Sequence, residues 1–276
     1  MSGARRIVSL VPSFTEIVYF LGLGARLAGV TEHCDFPGEA RTRAKVGAFG
    51  RPLPARILSL KPDLVLADAV LHGSCAMELR SAGLEVLAYT PVSVEDIFWV
   101  MDKIAQLCCV GDAGGERINS LRERAKQLRR ATGRKRPRVF RLMSTDPLIT
   151  PGPGSFQYDA LQRAGARLMA FQTQEPYVKV SPEQIVAFDP EVVVFCGVEK
   201  GERQPPRCLG CVAAKPICQR TLDDLTNGEW EQTTAFREHR VYPIPCHTIC
   251  RPGPRLIDGM EKLHSIFFCL QPSPQS

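Results

Sequence analysis

Short apolar runs alternate with stretches of helical periodicity along the whole chain. Residues 6–10, Arg-Ile-Val-Ser-Leu, alternate little and are closed off by Pro12, which predicts a buried strand. Ser13-Phe14-Thr15-Glu16 then has the spacing of a capping box. Ser13 is expected to cap a helix reaching about Gly22, with Glu16 turned back to the cap N–H. Strands are expected at 27–31, 64–67 and 85–88, and helices at 54–60 and 75–82. Such alternation predicts a parallel α/β sheet. Ser93 heads a long helix from Val94 to about Cys109. A second helix, from about Gly115 to Ala131, carries Ile118, Leu121, Ala125 and Leu128 on one face. A new strand is expected at 138–142, followed by a glycine-proline loop, two helices and another strand.

The two halves repeat. Ile57-Leu58-Ser59-Leu60-Lys61-Pro62-Asp63-Leu64-Val65-Leu66 matches Ile185-Val186-Ala187-Phe188-Asp189-Pro190-Glu191-Val192-Val193-Val194 at an offset of 128. Residues 6–10 match 138–142 more weakly, at an offset of 132. A repeat of this length predicts two similar lobes with parallel central sheets, joined by one long inter-lobe helix. The expected division is an α/β lobe over 1–110, the joining helix over 111–136 and a second α/β lobe over 137–276. The second lobe holds a cysteine-rich insertion at 196–250.

Composition narrows the function. Of 276 residues, 44% are hydrophobic and 23% charged, which excludes a disordered chain. No apolar stretch approaches the ~18 residues of a membrane span. The net charge of +6 is dispersed. The basic run at 129–138 has no aromatic residue interleaved for stacking on bases, so it reads as a solvated linker and not as a nucleic-acid site. Glu16 interrupts what would be the apolar core of a signal peptide, and the expected location is therefore the cytosol. The 11 cysteines then read as free thiols or metal ligands.

Ligands of open parallel sheets bind beyond the carboxyl ends of the strands. Those ends here carry Pro12-Ser13, Glu32-His33-Cys34-Asp35, Phe49-Gly50, Asp68 with His72, the Thr150–Gly154 loop and Cys196-Gly197. No Ser/His/Asp order, phosphate loop or two-metal carboxylate cluster accompanies them, which points to binding and not to catalysis. Several segments are similar to one known family: Arg6-Ile7-Val8-Ser9-Leu10-Val11-Pro12-Ser13-Phe14-Thr15-Glu16, Gly29-Val30-Thr31-Glu32-His33-Cys34-Asp35-Phe36-Pro37, Val180-Ser181-Pro182-Glu183-Gln184-Ile185 and Arg251-Pro252-Gly253-Pro254-Arg255-Leu256. The chain resembles the helical-backbone (class III) periplasmic substrate-binding proteins of ABC importers, and among them most the vitamin B12 (cobalamin) binders. The resemblance implies a small-molecule metal chelate held between two lobes, modest hinge motion, no catalysis and a monomer. It places ligand contacts on Pro12, Ser13, Asp35, Phe49, Gly50, Tyr177 and Arg251. The aromatic faces of Phe49 and Tyr177 suit a flat ring.

The sequence departs from that family in two further respects. Family members present one docking glutamate per lobe. Glu183 supplies one, but Ala55 stands at the repeat-related position, which argues against the usual importer docking. Cys208-Leu209-Gly210-Cys211, Cys218, and Cys246-His247-Thr248-Ile249-Cys250 form a C-x2-C-x6-C followed by C-x3-C, with Cys196 just ahead. Such a set can hold zinc or a [4Fe–4S] cluster, so a metalloprotein, possibly with redox or enzymatic chemistry, is the alternative function. His33, His72 and His247 are loop candidates for axial coordination to a bound cobalt or iron.

Overall fold

The computed structural model describes residues 3–130, 135–204, 216–225 and 228–268. In chain order the strands are β1 (Ile7–Ser9), β2 (Leu27–Val30), β3 (Ala44–Lys45), β4 (Gly47–Ala48), β5 (Arg51–Pro52), β6 (Leu64–Ala67), β7 (Val86–Ala88), β8 (Val139–Leu142), β9 (Ser144–Thr145), β10 (Leu148–Pro151), β11 (Tyr177–Lys179), β12 (Val192–Cys196) and β13 (Val241–Ile244). The helices are α1 (Pro12–Phe20), α2 (Pro54–Ser59), α3 (Gly73–Ser81), α4 (Val94–Leu107), α5 (Asp112–Arg130), α6 (Phe156–Arg163), α7 (Pro182–Phe188), α8 (Thr234–Arg237), α9 (Cys246–Ile249) and α10 (Arg255–Phe268).

Each half is built on its own parallel sheet. The first has order β3-β2-β1-β6-β7 and the second β13-β12-β8. β6 (Leu-Val-Leu-Ala) and β12 (Val-Val-Val-Phe-Cys) are buried at every position, as central parallel strands covered on both faces require. The second half adds an antiparallel sheet, β11-β10-β9, and the first a small β4–β5 hairpin.

The repeat survives in atomic detail. β1 pairs with β6 through Ile7↔Leu64 and Val8↔Val65, and β8 pairs with β12 through Val139↔Val192 and Phe140↔Val193. Those pairs are related by the two offsets seen in the sequence. Asp63 accepts the Arg6 backbone N–H at 2.9 Å, and its counterpart Glu191 accepts the Arg138 N–H at 2.9 Å. Lys61 and Asp189 both turn into the left-handed region, at φ 46° and 45°, to end the helix before the strand.

Helix α5 is tied to both halves. Its Arg117 donates to the Phe20 carbonyl and Arg122 pairs with Asp102 of α4, while Arg124 pairs with Asp258 and Glu261 of α10. Ile118, Leu121, Ala125 and Leu128 are all buried, as the periodicity predicts. They belong to one apolar cluster that contains Ile7 and Leu64 of the first sheet and Val192 and Ile244 of the second. A shared core of that kind holds the two sheets in a fixed relation.

The predicted strands and helices agree to within three residues at their boundaries, except that the joining helix, expected over 111–136, is Asp112–Arg130; the capping of α1 also differs. The helix begins at Pro12, with Val11 as its N-cap and no side-chain cap. Ser13 therefore lies inside the first turn. Glu16 does not turn back to the backbone: two guanidinium groups from the other end of the chain claim its carboxylate. A charge-assisted pair outweighs a capping hydrogen bond.

Candidate ligand-binding cleft

The carboxyl ends of the strands from the two sheets face each other, and the chain segment 246–255 lies between them. Glu16, only 3% exposed, receives Arg255 through Nε at 2.8 Å and Nη2 at 2.6 Å. Arg251 Nη1 donates to the same carboxylate at 3.0 Å and to Asp35 Oδ1 at 2.6 Å. The Arg255 guanidinium also lies over the Phe36 ring, 3.8 Å from its centroid. Two acids from the first half thus hold two arginines from the second across the cleft floor. Burial pushes the Asp35 carboxyl up, but the hydrogen bond and charge of Arg251 outweigh it and hold the group below the usual range. Asp35 and Arg251, both expected to touch ligand, are joined to each other.

The β4–β5 hairpin carries Phe49 and Gly50 at its turn. Phe49 packs edge-on against His72, with centroids 5.4 Å apart, and tilted against His33 at 6.1 Å. His72 is fully engaged: the Asp68 N–H donates to its Nδ1, so Nε2 carries the proton and donates to the Phe49 carbonyl at 2.6 Å. Its role is to fix the hairpin, and axial coordination by His72 is ruled out while those bonds persist. His33 keeps Nε2 available, its Nδ1 accepting the Phe49 N–H at 3.2 Å. Burial, helped by the charge of Arg251, lowers the His33 pKa, and burial with Arg255 and Arg251 lowers that of His247. Both imidazoles are neutral at pH 7, the form that binds a metal.

On the other wall, Tyr177 begins β11 opposite Pro151 and is 52% exposed. It lies within electrostatic reach of Cys250 and Arg141 in its own half and of Asp68 in the other. β12 ends at Cys196, and α9 places Cys246 and Cys250 one turn apart. The three sulfurs lie within 4.8 Å of one another, with Cys196 and Cys250 at 3.4 Å. α9 can pack this closely on α10 because Gly259 has no side chain: a Cβ there would come within 2.5 Å of the Thr248 carbonyl. Arg141, the buried third residue of β8, donates through Nη2 to Cys196 at 3.3 Å and to Cys250 at 3.1 Å. Hydrogen bonds from the Cys246 and Cys250 thiols, reinforced by Arg141, hold the Cys196 thiol well below its usual range. The same sharing pushes the other two up.

Four buried polar atoms have no hydrogen-bond partner among the described residues: Ser13 Oγ, Arg141 Nε, Arg141 Nη1 and Gln157 Oε1. All belong to residues that border the 249–253 segment. Gln157 donates to the Ile249 carbonyl, Arg141 to Cys250, and the Ser13 carbonyl approaches Gly253. Buried polar atoms without a partner are rare, and these four gather around one strip.

The expected site residues thus divide. Pro12 and Ser13 follow β1 at its carboxyl end, Phe49 and Gly50 form the turn between β4 and β5, and Tyr177 begins β11. Of the expected metal ligands, Cys196, Cys246 and Cys250 converge. Cys218, buried in the Ile217–Gln219 turn, is not part of that group, and Cys208 and Cys211 lie outside the described residues. Cys34 is packed in the core, its sulfur accepting from Thr15 Oγ1 at 3.1 Å, and burial raises its pKa. Sequence reasoning missed Glu16, Arg255 and Arg141. The visible signal for Arg141 was a lone arginine inside an otherwise apolar strand. A hollow of about 380 Å³ lined by Arg5, Arg6, Arg26 and Arg43 lies at the opposite, amino ends of the strands, away from the cleft.

Comparison with known proteins agrees with this architecture. Residues 7–247 match the family model described as periplasmic binding protein. The chain is 30% identical to an uncharacterized ABC transporter substrate-binding lipoprotein, YvrC, of Bacillus subtilis (strain 168), over 94% of this chain and 78% of that protein. It is 29% identical to the vitamin B12-binding protein of Yersinia pestis (strain Pestoides F), over 71% of each. The structure of the periplasmic heme-binding protein BhuT, in complex with two hemes, superimposes with a TM-score of 0.76 at 25% identity, covering 95% of this chain and 97% of that one. These relatives overturn the cytosolic location expected from the sequence, since they are periplasmic or lipid-anchored proteins. Glu16, whose charge had argued against a signal peptide, is explained by the ion-pair network in which it is buried. With its sequence match over 7–247 and its two-sheet fold, the chain belongs to the periplasmic binding protein family.

Proposed function

We propose that the protein is the substrate-binding component of an ABC importer and that it carries a tetrapyrrole-type metal chelate, cobalamin in preference to haem, in the cleft between its lobes. The observation that carries this reading is the set of unpartnered buried polar atoms of Ser13, Arg141 and Gln157 around the 249–253 strip. Two neutral imidazoles, His33 and His247, border the same floor and could supply an axial ligand. Phe49 and Tyr177, on opposite walls, offer faces for a flat macrocycle. The preference for cobalamin follows from the 29% identical vitamin B12-binding relative. Binding without catalysis is part of the proposal.

Docking to the transporter would be uneven. Glu183 is exposed in the first turn of α7, while the equivalent position in α2 is the exposed Ala55, followed by Arg56. The first lobe would then meet its partner through a contact other than a carboxylate.

Visible-absorbance titration with cyanocobalamin and with haemin tests the ligand. One-to-one binding of cobalamin, weakened at least tenfold by Tyr177→Ala, is expected. Haemin binding alone would replace the preferred ligand, and no binding of either would refute the proposal.

A further inference from the structure

We propose that Cys196, Cys246 and Cys250 form a site for one soft divalent metal ion of the zinc class, with its fourth coordination position left open to the cleft. The proposal stands on the thiols themselves and not on which chelate the cleft carries. The three sulfurs come from two separate elements, the end of β12 and the two ends of α9, and meet within 4.8 Å of one another. A tetrahedral zinc–thiolate site has bonds of ~2.3 Å, which sets sulfurs about 3.8 Å apart. The 3.4 Å between Cys196 and Cys250 and the 4.8 Å limit bracket that spacing. An iron–sulfur cube spreads its thiolates over separate irons, a wider arrangement than thiols sharing one ion.

Charge selects the valence. Arg141 is fully buried, and its one donating nitrogen is shared between Cys196 and Cys250. Three thiolates and one guanidinium sum to two negative charges, which a dication cancels. A buried site with residual charge is costly. Arg141 Nη2 donates to two of the sulfurs, the kind of contact that orients metal ligands. Binding replaces thiol protons with the ion, the protons leaving to solvent, and no electron is transferred. Among the described residues no further His, Cys, Asp or Glu completes the set. Three protein ligands with a free position is the pattern of a site that takes an exogenous donor. Tyr177 is near enough to Cys250 and Arg141 to interact with them electrostatically.

The test uses the full-length protein, reduced and stripped with chelator, then titrated with Zn2+ and, separately, with Co2+. One ion per chain is expected, with a sulfur-to-cobalt charge-transfer band in the near ultraviolet. Zinc should shield three thiols from alkylation, and peptide mapping should assign them to Cys196, Cys246 and Cys250. Cys246→Ser and Cys250→Ser should each weaken binding at least tenfold, whereas Cys109→Ser, at an exposed position, should leave it unchanged. The wild-type shielding pattern keeps the test decisive should a serine variant fail to fold. No retained ion, shielding confined to other cysteines such as Cys208 and Cys211, or a resting Cys196–Cys250 disulfide that persists in the presence of metal would overturn the site. Shielding of a fourth thiol would overturn the open position.

Discussion

The two halves of the molecule are alike at the foot of their sheets and unlike at the top. At the foot, Asp63 and Glu191 do the same work: each carboxylate caps the amino end of the first strand of its sheet. Lys61 and Asp189 make the same left-handed turn. At the top, the repeat-related positions part company. Ser9 of β1 corresponds to Arg141 of β8, and Asp68 after β6 corresponds to Cys196 of β12. Asp68 accepts the backbone N–H groups of Val70 and Leu71 and so closes a polar turn, while Arg141 and Cys196 join two more thiols. The foot answers to the requirements of strand initiation, which are the same in both halves. The top answers to whatever is bound, and there the halves have different tasks.

The largest effect is expected where the unlike tops are fastened together. Glu16→Ala removes a buried carboxylate from two guanidinium groups and should cost about 3–5 kcal/mol in urea unfolding, as the loss of one partner from a buried ion pair does. A loss below about 1 kcal/mol would mean that the two halves are held by the shared core and α5 alone. At the foot, Asp63→Ala and Glu191→Ala should each cost about 1 kcal/mol, the value of a lost acceptor for backbone N–H groups. The double variant should show the sum, because the sites share no partner. A clear inequality between them would break the equivalence of the halves.

The smallest and sharpest comparison is between Lys61→Gly and Asp189→Gly. The first relieves a left-handed lysine and should stabilise by up to about 0.5 kcal/mol. The second should destabilise by about 1 kcal/mol, because the Asp189 carboxylate accepts the Thr234 N–H at 2.7 Å and its hydroxyl at 2.9 Å. The Thr234 backbone N–H, with its hydroxyl and Arg138, holds the Asp189 pKa below the usual carboxylate range. A group depressed in the folded state contributes stability above its unfolded pKa and loses it as pH falls through the folded value. Asp189→Gly should therefore flatten the acid limb of the unfolding curve below about pH 4. An unchanged acid limb would remove Asp189 from the account.

The fold was legible because its signals are local or repeated. Apolar runs such as 192–196, the matching decamers at 57–66 and 185–194, and the apolar stripe from Ile118 to Leu128 each require a particular element regardless of distant context. The site was only partly legible. Strand-end topology pointed to Phe49 and Cys196, the family resemblance to Tyr177, and cysteine spacing to Cys246 and Cys250. Glu16 was misread because a local rule, the capping box, was applied to a carboxylate whose partners are 235 and 239 residues away. Arg141 showed only as a lone arginine in an apolar strand, and its meaning depends on sulfurs brought in by β12 and the 246–250 segment. The ion pair between Asp35 and Arg251 was illegible for a similar reason: the two residues are 216 positions apart and meet only once the chain closes.

The Glu16–Arg251–Arg255 network has a consequence for how a guest enters. It is sunk in the floor between the halves, where bulk salt screens it weakly. Parting the halves widely would break the ion pairs of Glu16 with Arg251 and Arg255, which opposes opening. Under the proposed function, a guest would then meet a nearly formed site, and its arrival would be set by encounter at the mouth rather than by a slow swing of the halves.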